Sequence, residues 1–212
     1  MTSLTAALAV LVLVSAALTI WADAKGRRPL FRLFKPLTTT LIIVVAAIAA
    51  TPVPAAYKTL ILAGLAFSLL GDIALTFPEK WFTAGLAAFL IAQFIYILAF
   101  RPGPAHPVSA GVFLPFVLFG LLMFFILAPG LGPLKLPVLV YIGAITVMAA
   151  FAAGRYVNLG GTRPLLAFAG AVLFLVSDSV LAYDRFAKRI RIAQVIILGA
   201  YFPAQLLIAL SI

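Results

Sequence analysis

Two apolar segments that each enclose an aspartate decide how this chain folds. They read AGLAFSLLGDIALTF at residues 63–77 and AGAVLFLVSDSVLAY at residues 169–183. A carboxylate inside a membrane-spanning helix costs about 2.5 kcal/mol or more at the helix centre. The chain has only five acidic residues, and it places two of them, Asp72 and Asp178, in matching apolar contexts. These two aspartates are therefore the first candidates for function.

The composition around these segments is that of a membrane protein. The 212 residues are 66% hydrophobic and only 9% charged, with a mean hydropathy of +1.26. Apolar runs of about 20 residues, the length that crosses a bilayer, recur along the whole chain. We therefore predict an all-α, polytopic membrane protein with a single transmembrane domain over residues 1–212 and no separate soluble domain.

The charged, Cys and His residues exclude several kinds of site. A net charge of +10 is attributed to basic loops on the cytoplasmic side of a membrane protein, so we expect no nucleic-acid partner. The absence of Cys excludes disulfides and thiolate chemistry. The single histidine, His106, excludes a zinc site with several His ligands. We therefore expect neither a metal nor a cofactor.

Proline, glycine and charged residues divide the chain into eight predicted membrane spans. The first is interpreted as a retained helix, not as a cleaved signal peptide. The spans cover about residues 4–22, 37–51, 57–77, 82–100, 107–128, 136–156, 164–183 and 190–211.

Basic residues are distributed unevenly between the loops of this arrangement. Eleven fall after odd-numbered spans: Lys25, Arg27, Arg28, Arg32, Lys35, Lys80, Lys135, Arg185, Lys188, Arg189 and Arg191. Four fall after even-numbered spans: Lys58, Arg101, Arg155 and Arg163. Because basic loops stay in the cytoplasm, the odd loops are predicted to be cytoplasmic and both termini non-cytoplasmic. Both aspartates then lie about five residues from the cytoplasmic ends of their helices.

An internal repeat relates the two halves of the chain, about 1–104 and 105–212. Asp72 and Asp178 align at an offset of 106, and Gln93 in the fourth span aligns with Gln205 in the eighth. Each half has an even number of spans, so the sequence predicts two parallel four-helix repeats that form one bundle. The alternative is chance similarity between helices rich in Leu and Ala.

Asp72 and Asp178 could perform acid/base chemistry together. Two nearby carboxyl groups in an apolar setting can share one proton and act as acid and base in turn. The structural alternative is a pair of salt-bridged aspartates that lock helices together. Basic residues on the same side could be their partners: Lys35, Lys80, Arg185 and Lys188.

Other polar residues inside the spans are candidates for supporting roles, although interhelical hydrogen bonds explain them equally well. They are Gln93, Tyr96, Tyr141, Ser177, Tyr201 and Gln205. Of the basic residues at span ends, Lys35 is the one we expect at a site, because Lys135 matches it in the second half. Such residues could bind a lipid phosphate beside the aspartates.

Four motifs together resemble the YhhN family of eight-helix membrane proteins. They are Gly71-Asp72-x-x-Leu75, Ser177-Asp178-x-x-Leu181-Ala182, Lys35-Pro36-Leu37-Thr38 and Tyr201-Phe202-x-Ala204-Gln205. The likeness covers nearly the whole chain. It departs from the family pattern at Gln93, where a histidine is expected, and this puts a proton-transfer role for that position in doubt.

The resemblance implies a lysoplasmalogenase-like ether hydrolase in a multi-pass membrane protein, here of a bacterial cytoplasmic membrane. The substrate would be a lysophospholipid with a vinyl-ether bond, and Asp72 and Asp178 would divide acid and base roles. Membrane lipids would be the other partners. Two competing classes are a proton-coupled transporter, which also suits paired acids in a repeat, and a lipid-binding scaffold without turnover.

Overall fold

Eight long α-helices form the protein, as the sequence predicts. A computed structural model describes residues 3–49, 53–77, 79–101, 103 and 107–212, and His106 lies outside these described residues. All eight helices are long and apolar enough to cross a membrane, and the described residues contain no strand. In chain order they are α1 Ser3–Ala24, α2 Arg28–Ile48, α3 Ala55–Thr76, α4 Phe82–Phe100, α5 Ala110–Leu127, α6 Lys135–Leu159, α7 Thr162–Phe186 and α8 Ala193–Leu210.

The start of α2 corrects one predicted boundary. The predicted span begins after Lys35-Pro36, but the helix begins at Arg28 and contains Pro36 in its interior. Pro29 lies in the first turn, where a residue without an N–H costs nothing because that N–H has no helical partner. Lys35 is consequently a helical residue, and it is buried.

The ends of α3 and α7 also shift the two aspartates relative to one another. Asp72 lies four residues before the end of α3 at Thr76, and Asp178 lies eight residues before the end of α7 at Phe186. At 1.5 Å per residue, these separations are about 6 Å and 12 Å. The predicted separation of about five residues between each aspartate and the end of its helix is approximately confirmed for Asp72. It is wrong for Asp178, because α7 continues past the apolar segment.

The helices pack in an order that matches between the two halves. In the first half α1 packs on α2, α2 on α3, and α3 on α4; in the second half α5, α6, α7 and α8 repeat this chain of neighbours. Between the halves, α2 contacts α8 and α4 contacts α6. These two contacts are equivalent if α2 corresponds to α6 and α4 to α8. The two-fold relation of the halves remains a proposal, and the matched neighbours support it.

Two glycines at the repeat offset bring helices into close contact. A Cβ atom on Gly64 of α3 would lie 2.3 Å from the Tyr96 ring of α4. A Cβ atom on Gly170 of α7 would lie 2.7 Å from the backbone oxygen of Ala204 in α8. Small residues of this kind let helices approach each other in membranes. The aspartate-bearing helices α3 and α7 are thus each held tightly against the helix that follows.

The loops after odd-numbered helices meet at one end of the bundle. Arg28 at the start of α2, Phe77 after α3 and Arg189 after α7 line one common cavity there. At the opposite end, Tyr57 at the start of α3 bonds Ser211 at the end of α8 at 2.7 Å. This is the arrangement that the unequal distribution of basic residues requires. That the basic end faces the cytoplasm remains a prediction.

Candidate active site

Asp72 is fully buried, and α2, α3 and α8 together enclose its carboxylate. The Thr39 hydroxyl donates to Oδ2 at 2.5 Å and the Tyr201 hydroxyl donates to the same atom at 2.7 Å. The Lys35 Nζ lies 3.4 Å from Oδ1. Lys35 and Thr39 reach one carboxylate because residues four apart lie on the same face of a helix. Complete burial opposes the ionised form of Asp72, while the opposite charge of Lys35 and the two hydroxyl donors favour it.

Asp178 has a different environment between α4, α6 and α7. The Tyr141 hydroxyl donates to Oδ2 at 2.5 Å, and the Gln93 amide Nε2 donates to the same oxygen at 3.2 Å. Among the described residues, no hydrogen bond is donated to Oδ1 and no cation forms an ion pair with this carboxyl group. Asp178 therefore has neutral donors on one oxygen only.

Each aspartate nevertheless contacts a residue of the preceding helix at the same spacing along the chain. Lys35 precedes Asp72 by 37 residues and Tyr141 precedes Asp178 by 37 residues, so α2 and α6 present equivalent positions to α3 and α7. Asp178 also lies within electrostatic reach of both Asp72 and Lys35. Under the proposed two-fold relation, Lys35 and Tyr141 occupy equivalent positions, and their different chemistry makes the two carboxyl environments unequal.

The remaining predicted site residues separate into two groups. Tyr96 and Gln205 do not contact a carboxylate through a hydrogen bond; instead, the Tyr96 hydroxyl donates to Gln205 Oε1 at 2.9 Å across α4 and α8. Ser177 donates to the Ile197 backbone carbonyl at 3.1 Å. Ser177 therefore joins α7 to α8 despite its position beside Asp178.

Sequence reasoning missed Thr39 and misjudged the counterpart of Lys35. Thr39 could have been found, because it stands one helical turn after Lys35 once α2 is known to include both. Lys135, the expected counterpart, is the first residue of α6 and is exposed, whereas Lys35 is buried. The structural counterpart of Lys35 is Tyr141, a residue of different chemistry.

Asp178 borders a small cavity that is otherwise mostly apolar, which we call the apolar cavity. Its volume is about 40 Å³, between α4, α5, α6 and α7. Its walls are Phe82, Leu86, Phe119, Met123, Leu127, Val138, Tyr141, Ile142, Ile145, Thr146, Leu175, Asp178, Ser179, Leu181, Ala182 and Phe186. Asp178 is the one acidic residue of this lining, and Asp72 does not line it. Hydrocarbon would suit such walls, since ligand pockets combine an apolar lining with a few placed polar groups, and a long chain fits when the surrounding side chains move apart.

A second, basic cavity adjoins the apolar cavity at the end of the bundle. Its volume is about 440 Å³, and it is lined by Arg28, Lys35, Leu75, Phe77, Phe82, Leu181, Asp184, Arg185, Arg189, Gln194 and Ile197. Phe82 and Leu181 line both cavities. The loop at this rim is fixed by Asp184, which accepts a hydrogen bond from the Ile190 N–H at 2.6 Å and pairs with Arg189 at 3.2 Å.

The boundary between the cavities lies close to Asp178. Leu181 is three residues after Asp178 on α7, and residues three apart are neighbours on one helix face. Lys35 lines the basic cavity while its Nζ reaches Asp72. Both carboxyl groups thus lie near the point where apolar and basic surroundings meet. Across the described residues, no group of three or more His, Cys, Asp or Glu side chains could hold a metal ion.

The sequence relatives of the chain are membrane proteins of one family. The YhhN family model matches residues 30–212. The chain is 32% identical over 208 residues to an uncharacterised membrane protein, YhhN, of Escherichia coli, covering 94% of this chain and 97% of that protein. No solved structure matches.

Two mammalian relatives carry the name of an enzyme. The human protein named lysoplasmalogenase TMEM86B is 37% identical over 165 residues, covering 73% of this chain and 64% of the human chain. The bovine protein named lysoplasmalogenase TMEM86A is 32% identical over 158 residues, covering 72% of this chain and 65% of its own. The chain thus spans somewhat less than two thirds of the length of these two relatives. From the family match and the eight helices, this chain is an integral, multi-pass membrane protein that belongs to the YhhN family.

Proposed function

We propose that this protein hydrolyses the vinyl-ether bond of lysoplasmalogen-type lysophospholipids, with Asp72 and Asp178 as its acid/base pair. The products are a fatty aldehyde and a glycerophospho-headgroup. The observation that carries this proposal is the position of Asp178 in the wall of the apolar cavity, next to the basic cavity. Relatives named lysoplasmalogenase supply the reaction class.

The two adjoining cavities suit the two parts of a lysophospholipid. The hydrocarbon chain lies in the apolar cavity, where its burial replaces contact with bilayer lipid. The phosphate lies in the basic cavity, where Arg28, Arg185 and Arg189 offer positive charge, and guanidinium groups bind phosphate oxygens well. The ether bond joins these two parts, so it lies at the boundary near Leu181, within one helical turn of Asp178.

A carboxyl pair is sufficient for each step of this hydrolysis. A protonated carboxyl group donates its proton to the β-carbon of the vinyl ether, the double bond supplies the electrons of the new C–H bond, and an oxocarbenium ion forms. Water then bonds to the carbon beside the ether oxygen and loses a proton to a carboxylate. The resulting hemiacetal breaks its C–O bond to the glycerol as its hydroxyl loses a proton and the glycerol oxygen gains one, with no net change in protons, which releases aldehyde and alcohol. A second, ionised carboxylate stabilises the cation in surroundings of low dielectric.

Purified protein and a synthetic lysoplasmalogen test the reaction directly. We expect the wild type to release fatty aldehyde, and Asp72→Asn and Asp178→Asn each to release far less. General acid/base groups contribute about 10²–10⁴-fold to rate. The control is Thr162→Val, which removes a side-chain hydroxyl at the exposed start of α7, outside both cavities, and should leave the rate unchanged.

Two results would reject the proposal. Aldehyde release at the wild-type rate from the Asp72→Asn/Asp178→Asn variant would remove the aspartates from the reaction. Proton-linked uptake of a solute into liposomes, without aldehyde formation, would identify a carrier instead.

A further inference from the structure

We infer that the two aspartates have unequal roles: Asp178 is the acid that protonates the substrate, through its Oδ1, and Asp72 is a permanent carboxylate that does not touch it. The inference rests on the proposed function and refines its acid/base pair: Asp178 makes both proton transfers, and Asp72 contributes only its negative charge. Tyr141 and Gln93 become positioning residues, because they determine which oxygen of Asp178 carries the proton.

The hydrogen bonds of Asp178 determine which of its oxygens carries the proton. Tyr141 and Gln93 both donate to Oδ2, at 2.5 Å and 3.2 Å. An oxygen that already accepts two hydrogen bonds is a poor place for a proton, since a carboxylic acid proton would point at a donor. The proton of the neutral acid therefore occupies Oδ1, which receives no hydrogen bond from any described residue.

The Oδ1 atom of Asp178 is accessible from the apolar cavity. Asp178 lines the apolar cavity, and its fully buried partner Gln93 does not. Buried polar atoms without a hydrogen bond partner occur on Ser68, Asp72, Gln93 and Gln205, and Asp178 has no such atom. The free Oδ1 is thus open to the cavity, where a substrate carbon can approach it.

The carboxyl group of Asp72 has surroundings that differ from those of Asp178. Its Oδ2 accepts from Thr39 and Tyr201, its Oδ1 lies 3.4 Å from the Lys35 ammonium, and its side chain is completely buried. A proton on this carboxyl group would oppose a donor or a cation at either oxygen. We therefore assign the negative charge of the pair to Asp72, whose charge acts on Asp178. It can stabilise a cation in the cavity without contacting it.

These roles let one residue complete both proton transfers. The Oδ1–H of Asp178 is transferred to the β-carbon, which leaves Asp178 as a carboxylate beside the oxocarbenium ion. The attacking water then returns a proton to Asp178 as its oxygen bonds to the cation. Protons and electrons balance over the cycle, and Asp178 is again protonated when the hemiacetal decomposes.

Two matched pairs of variants test the assignment. Tyr141→Phe and Tyr201→Phe each remove one phenol hydroxyl that donates to an aspartate, one at Asp178 and the other at Asp72. Asp178→Asn is compared with the double variant Lys35→Met/Asp72→Asn, which removes both partners of the buried ion pair and so leaves no unpaired charge. Each variant is measured for kcat, KM and the solvent deuterium isotope effect on aldehyde release.

We expect Asp178→Asn to lower kcat by at least about a hundredfold, and the double variant to keep measurable turnover. Tyr141→Phe should lower kcat about tenfold, the effect of one hydrogen bond to a charged group, with KM unchanged and a larger solvent isotope effect. Tyr201→Phe should lower kcat less and leave the isotope effect as in the wild type. A merely structural role of Tyr141 would not change the isotope effect.

The opposite order would overturn the assignment while leaving the proposed function intact. That order is residual turnover in Asp178→Asn, none in the double variant, and a changed isotope effect in Tyr201→Phe alone. Equal isotope effects in both tyrosine variants would overturn it as well. A wild-type protein that releases no aldehyde would instead reject the proposed function, and this inference with it.

Discussion

Lys35 and Asp72 form an ion pair that is almost completely buried. Their side chains are 6% and 0% exposed, and Nζ lies 3.4 Å from Oδ1. Breaking such a pair by removing one partner typically costs about 3–5 kcal/mol, because the remaining charge stays buried without compensation. Removing both charges is far less costly. A buried pair can therefore be distinguished from a surface salt bridge, because removing one charge destabilises the protein more than removing both.

The residue-scale prediction concerns stability. We expect Lys35→Met alone to lower the melting temperature in detergent strongly, since Asp72 loses its cation while remaining among apolar helices. Lys35→Met/Asp72→Asn should recover most of this loss. Thermal unfolding followed by circular dichroism measures both, with Lys188→Met as the control because Lys188 is exposed in the α7–α8 loop. Additive effects of the two substitutions would contradict a direct interaction between these residues.

At the scale of elements, α5 is the helix least enclosed by the rest of the bundle. It packs along α6 and only lightly on α7, and only Gly120 and Leu127 in it are buried. One face of α5 closes the apolar cavity through Phe119, Met123 and Leu127. The opposite face, with Leu118 and Leu122 each 56% exposed, is suited to contact with lipid. α5 thus separates the cavity from the surrounding membrane.

The two faces of α5 predict opposite sensitivities to a bulky substitution. Met123→Trp should fill part of the apolar cavity and raise KM for a long-chain lysoplasmalogen, with a smaller effect on a short-chain analogue that needs less of the cavity. Leu122→Trp places the same side chain one residue away on the exposed face, and it should change neither KM. Aldehyde release measured with both substrates distinguishes the variants. An equal effect of Met123→Trp on the two chain lengths would mean that the chain binds elsewhere.

At the scale of the whole molecule, charge is separated between the two ends of the bundle. The loops after α1, α3 and α7 meet around the basic cavity, while the opposite end has a stacked pair of Arg155 and Tyr57, with the guanidinium 4.4 Å from the ring centroid. Membrane insertion keeps the more basic loops in the cytoplasm. The orientation follows from this rule if both halves of the repeat insert alike.

The absence of Cys from the chain permits a direct test of orientation. Ala187→Cys lies in the α7–α8 loop at the basic end, and Leu159→Cys lies at the end of α6 on the other side; both positions are exposed. Neither substitution changes the number of charges that determine orientation. We expect a membrane-impermeant maleimide to label Leu159→Cys in intact cells and Ala187→Cys only after the membrane is opened. The reverse pattern would place both termini in the cytoplasm.

The sequence alone predicted the membrane class and the eight helices, and it singled out the two acids inside them. This was possible because hydrocarbon imposes a length and an apolar composition on every span, and because a carboxylate within it is costly enough to stand out. The start of α2 was misjudged, since proline is equally compatible with the first turn of a helix and with a break before one.

Only the tertiary structure decided how the two acids differ. Their local sequences are alike, so the difference arises from other helices: Lys35, Thr39 and Tyr201 converge on Asp72, whereas Tyr141 and Gln93 meet Asp178. The apolar cavity likewise borders one aspartate and not the other. Such contacts depend on the packing of side chains far apart in the chain, and no local pattern of residues records them. A repeated sequence thus supplied two equivalent carboxyl groups, and packing made one a partner of lysine and left the other facing a cavity.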